Sequence, residues 1–383
     1  MPKTSFEQRW REIISGELNS RFARNSRRLL RFAAGMFSQV VKIRFWLYQH
    51  GFLRRSWPGC LVISIGNITV GGTGKTPIVE VFARALTKGG RKVAVVSRGY
   101  KSHAPSLKWR RKHRAMRAPT HVVSDGRSVL LNARLAGDEP YMLAKNLPDV
   151  IVITDPDRIR GGRYAIREFG VDTIILDDGM QHVRMQRQIE VVLLDATCPF
   201  GFDYLLPRGL LREPLTGLAR ASHFFITKSQ GIDLAPIIAR IREYNRDAEI
   251  ISCYYEAVAL VDVHSGECLP VTELQGLNIF VMAGIAQPDG FVKQLKDLGA
   301  FVQRVYQYAD HHRFRREEIE HVYKRARNWN VDAIVMTEKD AVRFSHRSGA
   351  DMRSCPVFYL KVAVKITEGE EEFTDCILRI CYP

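Results

Sequence analysis

The chain has 383 residues, of which 46% are hydrophobic and 26% are charged, a composition typical of globular proteins that excludes a wholly disordered chain. At roughly 150 residues per domain, this length indicates two or three domains. The 57 Lys and Arg outnumber the 41 Asp and Glu, and the net charge of +16 points to anionic partners: nucleic acid, anionic lipid or phosphate-bearing substrates.

Residues 1–60 carry much of this charge, with twelve Lys or Arg against three acids. Between Phe22 and Tyr48 no proline interrupts the chain, and apolar residues recur at helical spacing with basic residues between them. The pattern predicts one or two amphipathic helices. Such helices bind an anionic membrane surface or pack on the protein's own core, and the sequence favours neither. No stretch of the chain approaches the ~20 apolar residues of a membrane-spanning helix.

From Leu61 onward, short apolar segments alternate with helical segments such as 76–88 and 138–145. This alternation predicts an α/β fold with a parallel sheet. The predicted strands form two series: 61–65, 92–97, 150–154, 173–177, 190–195 and 223–227, then 250–255, 278–283, 301–306, 333–337 and 357–360. The basic segment 101–118 looks like an exposed insertion.

The segment Leu61–Thr76 predicts a phosphate-binding loop, because an apolar strand enters a glycine-rich turn and then a helix. Glycines let backbone N–H groups surround phosphate oxygens, and the helix N-terminus favours the anion. Thr69 stands where such loops usually have their first glycine. The predicted nucleotide-binding residues are Gly71, Gly72, Thr73, Gly74, Lys75 and Thr76. Lys75 would reach the β and γ phosphates of ATP, and the Thr76 hydroxyl would bind Mg²⁺.

The loop and the strand pattern together predict a P-loop NTPase-like parallel sheet with helices on both faces and a smaller second α/β domain. The predicted division is an N-terminal amphipathic helical region at 1–60, a P-loop domain at 61–230 and the smaller domain at 231–383.

A second predicted site lies where the strand 173–177 ends in two carboxylates, Asp177 and Asp178. An apolar strand that ends in Asp places a carboxylate beside the Mg²⁺ of a phosphate loop. Adjacent strand residues point to opposite sides, so either Asp could be the metal ligand.

Two further segments carry acid–base groups. Asp138 opens a predicted helix, and His311 and His312 follow Asp310. A paired Asp and His could take a proton from a substrate hydroxyl. Considered alone, Asp138 is better explained as a helix N-cap, and the histidines as part of a surface turn.

In this order, these segments resemble the tetraacyldisaccharide 4′-kinase family, the lipid A 4′-kinases of Gram-negative bacteria. Met180 stands where the family is expected to have Phe, and neither 101–118 nor the tail after residue 345 is explained by the resemblance. The matching segments are 66–67, 71–77, 97–100, 123–126, 137–140, 177–182, 211–214, 282–286, 310–312 and 337–340.

The resemblance implies an ATP-dependent kinase that phosphorylates the 4′-hydroxyl of a tetraacylated glucosamine disaccharide 1-phosphate, with Mg²⁺ as cofactor. It implies peripheral association with the anionic cytoplasmic face of the inner membrane, and an active site in a cleft closed by the smaller domain. By motif, Asp138 corresponds to the catalytic base, supported by His311 in preference to His312. The weaker candidates for substrate or phosphate contacts are Tyr100, Arg127, Glu139 and Arg212.

Two alternatives share parts of this pattern. A soluble P-loop kinase of a small metabolite would use Lys75, Thr76 and the Asp177–Asp178 pair, but it gives the basic N-terminal region no role. A nucleotide-switched nucleic-acid-binding protein would suit the net charge of +16. Because much of the basic excess lies in one amphipathic region and no RNA-binding signature is present, nucleic acid is not expected as a partner.

Overall fold

The computed structural model describes residues 6–99, 120–285, 288–344 and 355–382. Tyr100 and the basic insertion 101–118 lie outside these residues. The helices are α1 (Phe6–Ser15), α2 (Arg21–Gln49), α3 (Lys75–Lys88), α4 (Ala133–Ala136), α5 (Asp138–Asn146), α6 (Arg158–Phe169), α7 (Ala235–Tyr244), α8 (Pro288–Asp297), α9 (Arg316–Asn328), α10 (Glu338–Arg343) and α11 (Glu370–Cys381). The strands are β1 (Leu61–Asn67), β2 (Val93–Ser97), β3 (His121–Asp125), β4 (Ile151–Thr154), β5 (Thr173–Asp177), β6 (Ile189–Asp195), β7 (His223–Thr227), β8 (Glu249–Asp262), β9 (Cys268–Leu269), β10 (Asn278–Ala283), β11 (Phe301–Gln307), β12 (Ala333–Thr337) and β13 (Val357–Glu368).

The chain packs into two compact units, and each is discontinuous in sequence. Of the described residues, the first unit contains those up to Arg98, Asp155–Tyr254 and those from Ile366 onward. The second contains those within Gly99–Thr154 and Tyr255–Lys365. The predicted contiguous division at residues 60 and 230 differs from these units, because the described residues within 120–154 group with the later half of the chain. The functional roles assigned to 1–60, 61–230 and 231–383 stay a prediction.

The first unit contains a parallel sheet in the order β8-β7-β6-β1-β5-β2, to which β8 contributes its first residues. Its strands are almost wholly buried, as in a parallel sheet covered by other elements. In the register of β1 and β5, Ile65 pairs with Asp177. Since the carboxyl ends of parallel strands meet at one edge, this pairing places the loop after β1 beside the acidic turn after β5.

The second unit contains the parallel strands β11-β10-β12-β13, an antiparallel β3–β4 pair, and β9 paired with the end of β8. Two apolar clusters form its core, one around Phe280 and Tyr323 and the other around Val281 and Leu295. Helix α10 packs against α5. The Thr337 hydroxyl caps α10 by accepting the N–H of Asp340.

The N-terminal region contains one long helix, α2, whose N-terminus is capped by the Ser20 side chain. Only Ala23 and Ala34 of this helix are buried. Large apolar side chains at helical spacing are exposed, with Phe22 at 73% and Leu29 at 70%; the others are Phe32, Met36, Val40, Ile43 and Trp46. The predicted amphipathic helix is confirmed, and these seven residues are called the apolar stripe below. No helix within the described ranges is both long and apolar enough to cross a membrane.

The α/β fold class is confirmed, and each predicted strand is present. The structure adds β3 and β9, which were not predicted. β3 follows the basic insertion and pairs antiparallel with β4, so that Asp125 lies opposite Ile151. A short strand at the end of a charged segment gives no period-2 pattern long enough to recognise.

Candidate active site

The glycine-rich loop leads from β1 into the N-terminus of α3. Gly74 caps α3 with φ 76° and Gly71 has φ 129°, conformations that side chains rarely adopt. The Thr227 hydroxyl at the end of β7 donates a hydrogen bond to the carbonyl of Thr73 at 3.0 Å. The loop is therefore attached to the sheet, and Lys75 begins the helix whose N-terminus favours an anion.

Three charged side chains meet beside this loop. The Lys75 Nζ lies 3.5 Å from Asp178 Oδ1 and donates to Asn67 Oδ1 at 3.1 Å. Arg212 Nη1 lies 2.7 Å from the same Asp178 oxygen. Burial raises the pKa of the Asp178 carboxyl, but the charges of Lys75 and Arg212 outweigh burial and lower that pKa to about 2. Asp178 is therefore ionised at neutral pH.

The two predicted metal ligands have different surroundings. Asp177 is the buried last residue of β5, whereas Asp178 begins the following turn with φ 49° and contacts Lys75. Within the described ranges, no group of three or more His, Cys, Asp or Glu is arranged to hold a metal ion. Mg²⁺ commonly takes one or two carboxylates, with water and substrate phosphates as its other ligands. The hard oxygen donors of Thr76 and an Asp at this turn fit such an ion.

Gln181 and Glu213 support this region, and the sequence analysis gave them no role. Gln181 Nε2 donates to the carbonyl of Asn67 at 3.0 Å and to Glu213 Oε1 at 3.2 Å. Arg212 Nη1 is 3.3 Å from Gln181 Oε1. Gln181 thus connects β1 to the Arg212 that contacts Asp178. Gln181 and Glu213 both lie in segments that match the family, and this match was the sequence signal that could have identified them.

The second unit brings Asp138 and His311 together. Asp138 Oδ2 lies 3.1 Å from His311 Nδ1, and both side chains are 12% exposed. Gly137, with φ 93°, is the N-cap of α5 and Asp138 is its first residue, so the simple N-cap explanation of Asp138 is wrong. His312 instead lies 2.8 Å from Glu318 Oε2. The geometry therefore pairs Asp138 with His311 and not with His312.

Two cations of α10 adjoin this pair. Lys339 Nζ lies 3.2 Å from His311 Nε2 and 2.9 Å from Glu139 Oε1. Because an ammonium only donates, His311 Nε2 accepts, and Nδ1–H is left to donate to Asp138. Arg343 Nε lies 3.3 Å from Asp138 Oδ2. Burial raises the pKa of Asp138, but the hydrogen bond from His311 and the charge of Arg343 lower it below its usual value.

The weaker candidates are distributed over both units. Glu139 belongs to the cluster around Lys339, and Arg212 contacts Asp178 beside the phosphate loop. Arg127 is exposed on the turn after β3. Tyr100 lies outside the described residues.

The family comparison covers almost the whole chain. The family model described as Tetraacyldisaccharide-1-P 4′-kinase matches residues 26–382. The chain belongs to this family. It is therefore a kinase, as the phosphate loop indicated.

Individual relatives agree with this membership. The chain is 37% identical over 351 residues to the tetraacyldisaccharide 4′-kinase of an Anaeromyxobacter species, with 91% of this chain and 90% of that protein covered. It is 35% identical over 322 residues to the tetraacyldisaccharide 4′-kinase of Halothermothrix orenii, with 81% of each chain covered. Its structure is similar to the crystal structure of the "apo" form of LpxK from Aquifex aeolicus in complex with ATP. That likeness has a TM-score of 0.72 and 28% identity, over 93% of this chain and 99% of that chain.

Proposed function

We propose that this protein transfers the γ-phosphate of ATP to the 4′-hydroxyl of a tetraacylated glucosamine disaccharide 1-phosphate, a step in lipid A biosynthesis. The observation that carries the proposal is the family match over residues 26–382. The relatives' names describe the same reaction, and the similarity to LpxK in complex with ATP supports ATP as the phosphate donor.

The phosphates of ATP bind at the loop between β1 and α3. Glycines 71, 72 and 74 let the loop curve around phosphate oxygens with no side chain in the way, and Lys75 neutralises the charge of the transferred group. Thr76 and Asp178, or Asp177, would hold Mg²⁺, which supplies charge neutralisation and orientation of the phosphates. Because Asp178 has a lowered pKa, it is ionised and able to bind a cation over the physiological pH range.

The acceptor hydroxyl loses its proton to Asp138. Phosphoryl transfer proceeds through a loose transition state, so the hydroxyl proton leaves late and a carboxylate of low basicity is sufficient. His311 orients this carboxylate through Nδ1–H at 3.1 Å. Glu139, Arg127, Arg212 and Tyr100 remain the candidates for contacts to the sugar or its phosphate.

The acceptor is an anionic lipid, and α2 has the features that bring a protein to a surface of such lipids. Its apolar stripe is exposed, and exposed basic residues, among them Arg24, Arg28 and Arg31, adjoin the stripe. Each basic residue near an anionic surface contributes about 1 kcal/mol of binding free energy. We place the protein at the cytoplasmic face of the inner membrane as a peripheral enzyme.

The test is transfer of labelled γ-phosphate from ATP to the lipid disaccharide in mixed micelles. We expect Lys75→Ala and Asp138→Asn each to lower kcat by about 100-fold or more, since each removes a group that acts in the transition state. The matched control is Lys88→Ala, an exposed lysine on the same helix as Lys75, which should retain activity.

Two further assays distinguish the alternative functions. Transfer to a small water-soluble sugar or metabolite, indifferent to detergent and lipid, would favour a soluble metabolite kinase. Salt-sensitive, tight RNA binding in a filter assay, without lipid phosphorylation, would favour a nucleotide-switched nucleic-acid-binding protein.

A further inference from the structure

Arg343, the last residue of α10, is a buried cation beside the candidate base. Its side chain is 2% exposed, and its Nε lies 3.3 Å from Asp138 Oδ2. The same Nε donates to the carbonyl of Lys339 at 3.1 Å. A buried charge is costly unless it is paired and hydrogen-bonded, so the position of this guanidinium is narrowly defined.

The other end of the guanidinium contacts the backbone around His311. Arg343 Nη1 donates to the carbonyl of His312 and to the carbonyl of Gly284, each at 3.2 Å. The N–H of His311 donates to the same Gly284 carbonyl at 3.2 Å. Arg343 therefore touches the Asp138 carboxylate and, through one rigid planar group, the backbone that carries His311.

Asp340 holds Arg343 in turn. Its side chain is 0% exposed, and its Oδ1 lies 3.3 Å from Arg343 Nη2. Oδ1 accepts the N–H of Gly284 at 3.1 Å, and Oδ2 accepts the Thr337 hydroxyl at 2.6 Å. A Cβ on Gly284 would lie 3.0 Å from Asp340 Oδ1, which leaves little room for another residue there.

We propose that Arg343 is the positioning residue of the Asp138–His311 pair: it fixes the carboxylate against the imidazole. The inference rests on the proposed function, in which Asp138 accepts the proton of the sugar hydroxyl. Asp340 and the carbonyls of Gly284 and His312 fix the guanidinium, and the guanidinium fixes the pair.

The charges that face Asp138 come from three elements. Helix α5 contributes Glu139, which is next to Asp138 in sequence. The segment after β11 contributes His311 and Asp310, and Asp310 Oδ2 lies 3.7 Å from His311 Nε2. Helix α10 contributes Arg343, Lys339 and Asp340. Burial alone raises the pKa of Asp138, and Arg343 is one of the cations that oppose it. Loss of the Arg343 charge therefore raises this pKa, and the acid limb of kcat against pH moves to higher pH.

The experiment compares Arg343→Gln, which removes the charge, with Arg343→Lys, which keeps the charge and loses the planar fork. The matched control is Arg316→Gln, since Arg316 is 69% exposed and pairs with Glu320. We measure kcat, the KM for ATP and thermal unfolding over a range of pH. For Arg343→Gln we expect kcat to fall by about 30-fold or more, with the KM for ATP unchanged and the acid limb displaced upward.

Arg343→Lys should lower kcat less and leave the acid limb at the wild-type position. Once Asp138 is replaced by Asn, the further change Arg343→Gln should cost little additional activity, because the two act as one unit. A folded Arg343→Gln protein with wild-type kcat and an unmoved acid limb would overturn the inference. If the Arg343→Gln protein does not fold, the Arg343→Lys protein is the test instead. A kcat of Arg343→Lys equal to that of the wild type would then contradict the inference. If the wild-type protein itself does not phosphorylate the lipid, the proposed function has failed instead.

Discussion

At the scale of single residues, two of the candidate site residues are carboxylates that are both held by cations. Asp178 meets Lys75 and Arg212, and Asp138 meets Arg343 and, through its hydrogen bond, His311. Both have a lowered pKa, so both remain ionised at neutral pH. An ionised carboxylate suits a Mg²⁺ ligand at the first position and a proton acceptor at the second.

Lys75 could be proposed from the sequence because it lies in a glycine-rich motif with a chemical reason, whereas Asp138 and His311 became candidates only through the family resemblance. The pairing of Asp138 with His311 could not be derived from spacing, since 173 residues separate them. Arg343 was missed for the same reason. The available signal was its place four residues after Lys339 on one short helix, which puts both cations on neighbouring turns.

The pKa values of two histidines, the buried His223 and the partly buried His182, predict how the stability of the fold depends on pH. Burial, with smaller contributions from neighbouring arginines, lowers the pKa of His182 and His223 from 6.5 to about 4. The folded-state pKa lies below the unfolded one, so stability is complete above about pH 6.5 and falls as pH drops toward 4. At about pH 5.5 each histidine costs about 1 kcal/mol.

Urea unfolding of wild-type protein and His223→Gln at two pH values tests this. We expect the loss of stability between about pH 7.5 and about pH 5.5 to be smaller in the variant by about 1 kcal/mol. An identical loss in the two proteins would show that His223 is not neutral and buried in the folded state.

At the scale of elements, helices and strands followed from periodicity because each forms a long apolar pattern. The parallel strands of the first unit have continuous apolar sequences, and the sequence of α2 has the spacing of an amphipathic helix. What the sequence left open was the partner of the apolar face of α2. The structure leaves the apolar stripe exposed and buries only Ala23 and Ala34.

We expect a protein in which Phe22, Leu29, Phe32 and Val40 are replaced by Ser to sediment less with anionic vesicles than the wild-type protein. The reason is the loss of apolar area that enters the interface, about 25 cal/mol per Å². Transfer of phosphate to a detergent-dispersed acceptor should change little. A deletion of residues 1–56 should give the same loss of vesicle binding, and undiminished sedimentation of both variants would contradict the proposed role of the helix.

Strand β1 also packs closely against the turn after β5, which carries Asp178 and Met180. A Cβ on Gly66 would lie 2.6 Å from the backbone N and 2.7 Å from the Cβ of Met180, so the strand or the turn must shift. We expect Gly66→Ala to cost about 1–3 kcal/mol of stability and to weaken ATP binding. The control is Gly35→Ala in α2, where nothing lies within 4 Å of the added Cβ and stability should rise slightly. Equal melting temperatures and ATP affinities for Gly66→Ala and the wild type would refute the argument.

At the scale of the whole molecule, the fold class and the order of motifs were predictable, whereas the grouping of segments was not. The described residues within 120–154 belong to the same compact unit as those within 255–365, although residues 155–254 separate the two segments in sequence. A sequence presents strands in chain order, and contiguous boundaries are the simplest interpretation of that order. The grouping depends on packing between distant segments, such as α5 against α10, which no local pattern records.

The central claim is that a family kinase with this phosphate loop and this Asp–His pair phosphorylates one defined hydroxyl of a lipid. The most direct measurement is the position of the new phosphate, found by tandem mass spectrometry and ³¹P NMR of the lipid after reaction with ATP and Mg²⁺. The account predicts one added phosphate on the 4′ oxygen of the tetraacylated disaccharide, absent with Asp138→Asn. A phosphate at another position, or an unmodified lipid with wild-type protein that binds ATP, would contradict it.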